Sequence, residues 1–223
     1  MTSVTRTEFG PVVEHGATIV ARNDEGLYHR MSVHAPLAAA RAVPGQFLTL
    51  DLANSEHILP RPFSIAGADP KAGTIEVLFA EVGEGTQGFH QKAREGDRVR
   101  LVGPLGTGYS PVEGPVVAVG GGYGAAPLTW LAQTLLGEVD LIVGAANAGR
   151  LCLPAAAHDA CRSVVVATED GSQGVQGRVT DVLAETIEAA GAVRVYACGP
   201  MPMLRAVEAI AMELGVECEL ATE

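Results

Sequence analysis

The sequence predicts two domains in series: an antiparallel β-barrel over residues 1–112, then an α/β domain with a parallel sheet over residues 113–223. Three observations predict this. Up to about Val112 short strand-forming runs alternate with turn signals, the rhythm of a small antiparallel barrel. From Pro115 onward the rhythm becomes strand, helix, strand, which implies a parallel sheet covered on both faces. Between them Pro111, Gly114 and Pro115 make a linker, so the boundary is expected near Ser110 to Gly114. A chain of 223 residues accommodates two domains of about 100 residues, each with its own core.

The first half offers strands at residues 17–21, 47–52, 74–79 and 98–102, rich in β-branched residues and leucine. Turns fall at Asn23-Asp24-Glu25-Gly26, Pro44-Gly45, Asp69-Pro70-Lys71-Ala72-Gly73 and Glu95-Gly96-Asp97. One short helix is expected over 86–93. In the second half, strands at 116–119, 139–143, 164–167 and 193–197 alternate with helices at 126–136, 179–190 and 201–214. No internal repeat or low-complexity tract interrupts the chain.

Composition narrows the function classes. Hydrophobic residues make up 48% and charged residues 18% of the chain, values of a globular protein. Fifteen basic against 26 acidic residues give a net charge of −11, and no Lys/Arg-rich run offers a phosphate-backbone footprint, so nucleic acid is not an expected partner. Cys152, Cys161, Cys198 and Cys218 lack both a C-x-x-C pair and the spacing of a disulfide-stapled domain, which points to a reducing cytoplasm. Residues 1–10 are polar and carry no signal-peptide core. The uncharged stretch 114–137 is long enough to raise a membrane span, but its glycines and prolines fit a buried strand, a glycine turn and a helix better.

The chemistry lies in short motifs. In Arg61-Pro62-Phe63-Ser64 the arginine fork can pair with a phosphate and the serine hydroxyl with a ring nitrogen or carbonyl; an exposed arginine and a turn serine would read the same. Gly83-Glu84-Gly85-Thr86 offers either backbone N–H groups to an anion or an N-cap threonine. Gly103-Pro104-Leu105-Gly106-Thr107-Gly108-Tyr109 reads as a tight loop that lets backbone approach a ring system. Gly120-Gly121-Gly122-Tyr123-Gly124-Ala125 satisfies G-x-G-x-x-A between a strand and a helix, the setting for a dinucleotide pyrophosphate. The ribose-binding acid expected roughly 20 residues later is missing, since the second strand runs into Ala145-Ala146-Asn147. Cys198-Gly199-Pro200 ends a strand, placing Cys198 at the carboxyl edge of the sheet or making it a small buried hydrophobe. No histidine is placed to make Cys198 a nucleophile, and the six histidines show no metal-ligand spacing. In this order the motifs fit a flavin in the first half and a nicotinamide nucleotide in the second, with the redox rings meeting between the halves.

Arg61-Pro62-Phe63-Ser64-Ile65-Ala66, Gly83-Glu84-Gly85-Thr86, Thr168-Glu169-Asp170-Gly171-Ser172 and Ala197-Cys198-Gly199-Pro200-Met201-Pro202-Met203-Leu204 carry a resemblance over nearly the whole chain. It resembles the ferredoxin reductase-like flavoprotein family, and within it the electron-transfer subunits of bacterial dihydroorotate dehydrogenases. The resemblance implies an FAD-binding barrel followed by an NAD-binding domain. Arg61 is then expected near phosphate and Ser64 near the flavin ring, with Pro62, Phe63, Leu78, Phe79, Ala80, Gly85 and Thr86 as further FAD contacts. Gly121, Gly122, Gly124, Cys198 and Gly199 match the nicotinamide side. Ser64 and Cys198 are the residues expected beside the reacting rings, Cys198 positioning the nicotinamide with no covalent role.

The same resemblance implies a catalytic subunit that oxidises dihydroorotate as partner, and electron flow to NAD in pyrimidine biosynthesis. Another reductase of the superfamily, such as a hydrogenase flavin subunit or a free flavin reductase, and a nucleotide- or flavin-binding module without turnover are the alternatives. NADH is preferred over NADPH on resemblance, although Arg150 could meet a 2′-phosphate. Two departures stand out. Ala80-Glu81 replaces a basic residue usual in relatives. The subunit family also continues past the strand matching residues 216–220 into a four-cysteine [2Fe–2S] motif, whereas this sequence stops at Glu223 with Cys218 alone nearby, and such a cluster needs four thiolates. Either the sequence was cut before that segment, which the family's continuation favours, or this is a cluster-free relative.

Overall fold

The computed structural model describes residues 10–52 and 59–222. Residues 1–9, on which the reading of a polar start rests, lie outside the described residues, as does Glu223. The chain divides into two compact units, Met1–Gly108 and Tyr109–Glu223.

The first unit runs β1 (Val12–Glu25), β2 (Tyr28–His34), α1 (Pro36–Ala39), β3 (Phe47–Leu52), β4 (Arg61–Asp69), β5 (Thr74–Ala80), α2 (Glu84–Lys92) and β6 (Arg98–Leu105). The strands close a barrel in the order β1-β2-β5-β4-β3-β6, every pair antiparallel. Closure depends on β1, which is long enough to pair β6 near its start and β2 further along, and is bulged between Ile19 and Ala21 and between Glu14 and Ala17. A closed barrel leaves no unpaired edge. Ile19, Leu48, Leu50, Ile65, Ile75, Val77, Val99 and Leu101 are buried, alternating along their strands with more exposed residues as the two-residue period requires.

Several expectations change here. β2 and β4, which Arg61 opens, are strands beyond the four named from the sequence. The expected tight loop at 103–109 is partly strand, since β6 runs to Leu105.

The second unit runs β7 (Val116–Gly121), a 3-10 turn (Gly122–Gly124), α3 (Ala125–Thr134), β8 (Val139–Ala145), α4 (Ala157–Ala160), β9 (Ser163–Thr168), β10 (Val175–Gln176), α5 (Val179–Ala190), β11 (Arg194–Gly199), α6 (Met201–Glu213) and β12 (Glu217–Thr222). Its sheet has the order β10-β9-β8-β7-β11-β12, parallel throughout. β7 is buried along its whole length, which explains its unbroken apolar run. α5 presents Val179, Leu183 and Ile187, and α6 presents Leu204, Val207 and Ala211, to one core with Val117, Val119, Val195 and Ala197; these spacings are single helical stripes. Gly191 closes α5 in the left-handed region at φ 60°, a conformation glycine adopts freely.

The uncharged stretch 114–137 therefore contains β7, the 3-10 turn and the ten-residue α3. Among the described residues no helix is long and apolar enough to cross a membrane. The units part at Gly108 and Tyr109, a few residues before the expected linker. The reason is visible at Ser110: its carbonyl accepts from the Tyr196 hydroxyl (2.6 Å) and Arg194 Nη1 (3.2 Å), and its N–H donates to the Glu219 carboxylate (2.9 Å). Those three contacts commit it to the second unit.

Candidate functional site

In the barrel, three phenylalanines set the geometry. Phe63 of β4 packs 5.0 Å from Phe79 of β5 and 5.3 Å from Phe89 of α2, with Phe79 and Phe89 at 6.2 Å. This buried trio holds the first turn of α2 against the start of β4. A Cβ added at Gly85, the second residue of α2, would overlap Arg61 Cζ. The guanidinium thus lies against the helix's first turn, in the space a side chain at position 85 would take.

Arg61 Nε is buried and has no hydrogen-bond partner among the described residues, a costly state for a charged donor. Beside it, α2 begins at Gly83 with no side-chain cap. The first helical bond comes from the Gln87 N–H to the Gly83 carbonyl (3.0 Å), so the N–H groups of Glu84, Gly85 and Thr86 have no intrahelical acceptor. A cation with a buried unpaired donor beside three N–H groups free of intrahelical acceptors is chemistry that can hold a diphosphate. These residues fit the phosphates of FAD.

Thr86 is not the N-cap, as one reading of the motif had it. It stands inside the first turn, where its hydroxyl donates to the Gly83 carbonyl (3.1 Å) and accepts from the Val82 N–H (3.0 Å). Ser64 lies opposite Phe47 in an unbroken register from Arg61, so strand alternation turns it to the face of β4 away from Arg61. Leu78 and Phe79 are buried in β5 and Ala80 is half-buried. Pro62 is exposed and Phe63 is committed to the aromatic trio. The structure thus gathers Arg61, Gly85 and Thr86, and sets Ser64 apart from them.

Gln46 went unnoticed in the sequence. Its buried side chain accepts the Val43 N–H (3.0 Å) and donates to the Gly106 carbonyl (3.0 Å), while its backbone carbonyl accepts the Ile65 N–H (3.0 Å). This one residue ties the turn before β3 to β4 through its backbone and to the end of β6 through its side-chain amide. Its only signal was an amide inside Pro44-Gly45-Gln46-Phe47.

In the second unit the sheet order reverses direction between β7 and β11, and ligands of open parallel sheets bind outside the carboxyl ends of strands at such a switch point. Both glycine motifs stand there. A Cβ at Gly124 would overlap the Cys198 carbonyl, one at Gly121 would come 2.7 Å from Met203 Sδ, and one at Gly199 (φ 156°) would come 2.8 Å from Met203 Cε and 3.1 Å from Gly121 N. Gly121, Gly124 and Gly199 are therefore required by the close approach of the two motifs to each other. Neither the 3-10 turn nor α3 has a side-chain cap, which leaves backbone donors for a pyrophosphate.

Cys198 is fully buried. Nearby, Tyr109 packs edge-on against Tyr196 (5.1 Å) and donates to the Ala197 carbonyl (3.3 Å). Burial, reinforced by neighbouring Cys198 and Glu219, holds the Tyr109 phenol well above its ordinary pKa. The edge beyond β8 and β9 is closed by a polar knot. The Ala148 N–H donates to Ser172 Oγ (2.7 Å), whose hydroxyl donates to Asp170 (2.6 Å). The hydrogen bonds from Ser172 hold the Asp170 carboxyl below the usual carboxylate range.

Cys152 and Cys198 are buried, Cys161 and Cys218 half-buried, and among the described residues no three cysteines converge.

No protein-family model matches the chain. A 39% identity over 181 residues, 81% of this chain and 70% of the relative, links it to the dihydroorotate dehydrogenase B (NAD(+)) electron transfer subunit of Caldanaerobacter subterraneus subsp. tengcongensis. The subunit of the same name from Desulforamulus reducens is 35% identical over 199 residues, 86% of this chain and 76% of the relative. Among solved structures, an NADH-dependent reduced ferredoxin-NADP oxidoreductase studied for flavin-based electron bifurcation aligns over 91% of this chain and 74% of its own, with 27% identity and a TM-score of 0.80. A Neisseria gonorrhoeae ferredoxin NADP+ reductase with bound FAD and NADP shares the fold over 96% of this chain and 99% of its own, with a TM-score of 0.74 at 17% identity. The chain belongs to the family of dihydroorotate dehydrogenase B (NAD(+)) electron transfer subunits.

Proposed function

We propose that this chain is an FAD-carrying electron-transfer subunit that moves electrons between a dihydroorotate-oxidising catalytic subunit and NAD(H). The observation that carries the reading is the buried, unpartnered Nε of Arg61 against the uncapped first turn of α2. When bound, FAD accepts a two-electron hydride and releases single electrons, chemistry that no side chain here supplies. The protein's share is binding and orientation.

Arg61 neutralises the diphosphate while Glu84, Gly85 and Thr86 N–H groups point at its oxygens. The Thr86 hydroxyl, spent on the Gly83 carbonyl, keeps that turn in shape. In the second unit Gly121 and Gly122 shape the seat for the nicotinamide dinucleotide. Around them the Gly124 and Gly199 packing fixes the switch-point crevice, and Cys198 is held rigidly behind it as a positioning residue. NADH suits this site better than NADPH, because Glu169 and Asp170 follow β9 and would repel a 2′-phosphate.

Mixing the chain with the dihydroorotate-oxidising subunit tests the reading. Dihydroorotate-dependent reduction of NAD+ should require both proteins and fail when Arg61→Ala replaces the wild type. Equal NAD+ reduction by the catalytic subunit alone would dismiss the proposal.

A further inference from the structure

The β1–β2 hairpin and α2 bring together ionisable side chains that the flavin site does not use. Asp24, His29 and His90 each place one potential ligand atom within 4.8 Å of the others. His29 Nδ1 lies 2.7 Å from Asp24 Oδ1, and the two imidazole rings lie 3.6 Å apart between centroids at an angle of 37°. Just beyond β5, Glu81 Oε1 lies 3.8 Å from His29 Nε2 and 3.9 Å from His90 Nε2. On the far side Arg22 Nη2 meets His90 Nδ1 and donates to the His90 carbonyl, each at 3.1 Å, and its Nη1 donates to the Ala93 carbonyl. Glu81 thus turns its carboxylate toward both imidazoles.

We infer that the cluster binds a divalent transition-metal cation of the zinc class, with the imidazoles of His29 and His90 and the carboxylate of Asp24 as ligands and Glu81 as a second carboxylate close by. Two imidazoles with carboxylate oxygens are a zinc donor set. Bonds of about 2.0–2.2 Å put neighbouring ligand atoms roughly 3.3–3.5 Å apart, a spacing that modest side-chain rotations reach from the one seen here. Charge favours a cation as well. The carboxylates of Asp24 and Glu81 oppose the single guanidinium of Arg22.

Arg22 sets the affinity. A guanidinium only donates, so its contact makes His90 Nδ1 an acceptor and puts the ring proton on Nε2. Binding through Nε2 moves that proton to Nδ1 and shifts Arg22 wholly onto its two carbonyl acceptors. An Arg22→Gln variant, whose amide oxygen can accept from Nδ1–H, should therefore bind more tightly. The bound ion would join the β1–β2 hairpin to the far end of α2, the helix whose first turn lies against Arg61. None of this rests on flavin being the ligand there.

The test is zinc titration of the purified chain by competition with a chromogenic chelator, with a thermal melt of each variant showing that it folds. One zinc per chain is expected, with a rise in melting temperature, a loss of affinity of about tenfold or more in His29→Gln and in His90→Gln, and a gain in Arg22→Gln. Cobalt in place of zinc should give visible bands without thiolate charge transfer. Absence of stoichiometric zinc, uptake unchanged in both histidine variants, or a thiolate signature would overturn the site. Flavin content, measured separately, reports on the flavin reading and leaves the zinc result unaffected.

Discussion

The two units hold their anion seats by different means. In the barrel a cationic side chain, Arg61, is pressed against a helix start and keeps a buried donor unpaired. In the α/β unit, glycines at the ends of β7 and β11 pack two turns together, and no side chain caps the turn after β7. A charge-assisted contact at a buried arginine is roughly twice as strong as a neutral one, which suits a resident group. Backbone donors at an open sheet edge suit a ligand that comes and goes. The difference is that expected between a cofactor and a co-substrate.

The largest effect should come from Gly124→Ala. Its Cβ meets the Cys198 backbone carbonyl, which cannot swing away, so overpacking should cost about 3 kcal/mol. Urea unfolding should show the α/β unit weakened, and NADH should no longer reduce a flavin that the barrel still holds.

Arg61→Ala attacks the other seat. Loss of a charged hydrogen-bonding partner costs about 1.5–3 kcal/mol, so FAD retention after gel filtration should fall by roughly 10- to 100-fold in affinity. Unaltered flavin content would remove Arg61 from the seat. Cys198→Ala should be milder, leaving a small cavity worth about 1 kcal/mol and bound flavin intact. Single-turnover reduction by NADH should slow, and an unchanged rate would end the positioning role of that thiol.

The smallest effect is on pH dependence and is confined to the α/β unit. Burial would raise the Asp140 carboxyl, but the hydrogen bonds it accepts from Arg162 and Ser163 outweigh burial and lower it. A depressed folded-state pKa stabilises above the unfolded value of about 3.9, and that stability is lost as pH falls through the folded value. The stability gap between wild type and Asp140→Asn should therefore be full near neutral pH and close in acid.

How much of this was legible follows from the range of each interaction. β3 and α5 were readable to the residue because a local period and a local stop, Gly191 for α5, define them. β2 escaped because His29, Arg30, Ser32 and His34 hide the buried Tyr28, Met31 and Val33. β4 escaped because Pro62 interrupts it, and proline argues against a strand. Arg61 was legible as part of a motif, but its contact with Gly85 depends on the Phe63, Phe79 and Phe89 trio, which only the folded chain assembles. Gln46 and the Asp24, His29 and His90 cluster were invisible for the same reason.

The most direct measurement is an anaerobic absorbance spectrum of the purified chain before and after stoichiometric NADH, with the released flavin identified. A yellow FAD spectrum that bleaches on NADH addition is the predicted result. A protein that takes up no FAD, or holds a flavin NADH cannot reduce, would contradict it.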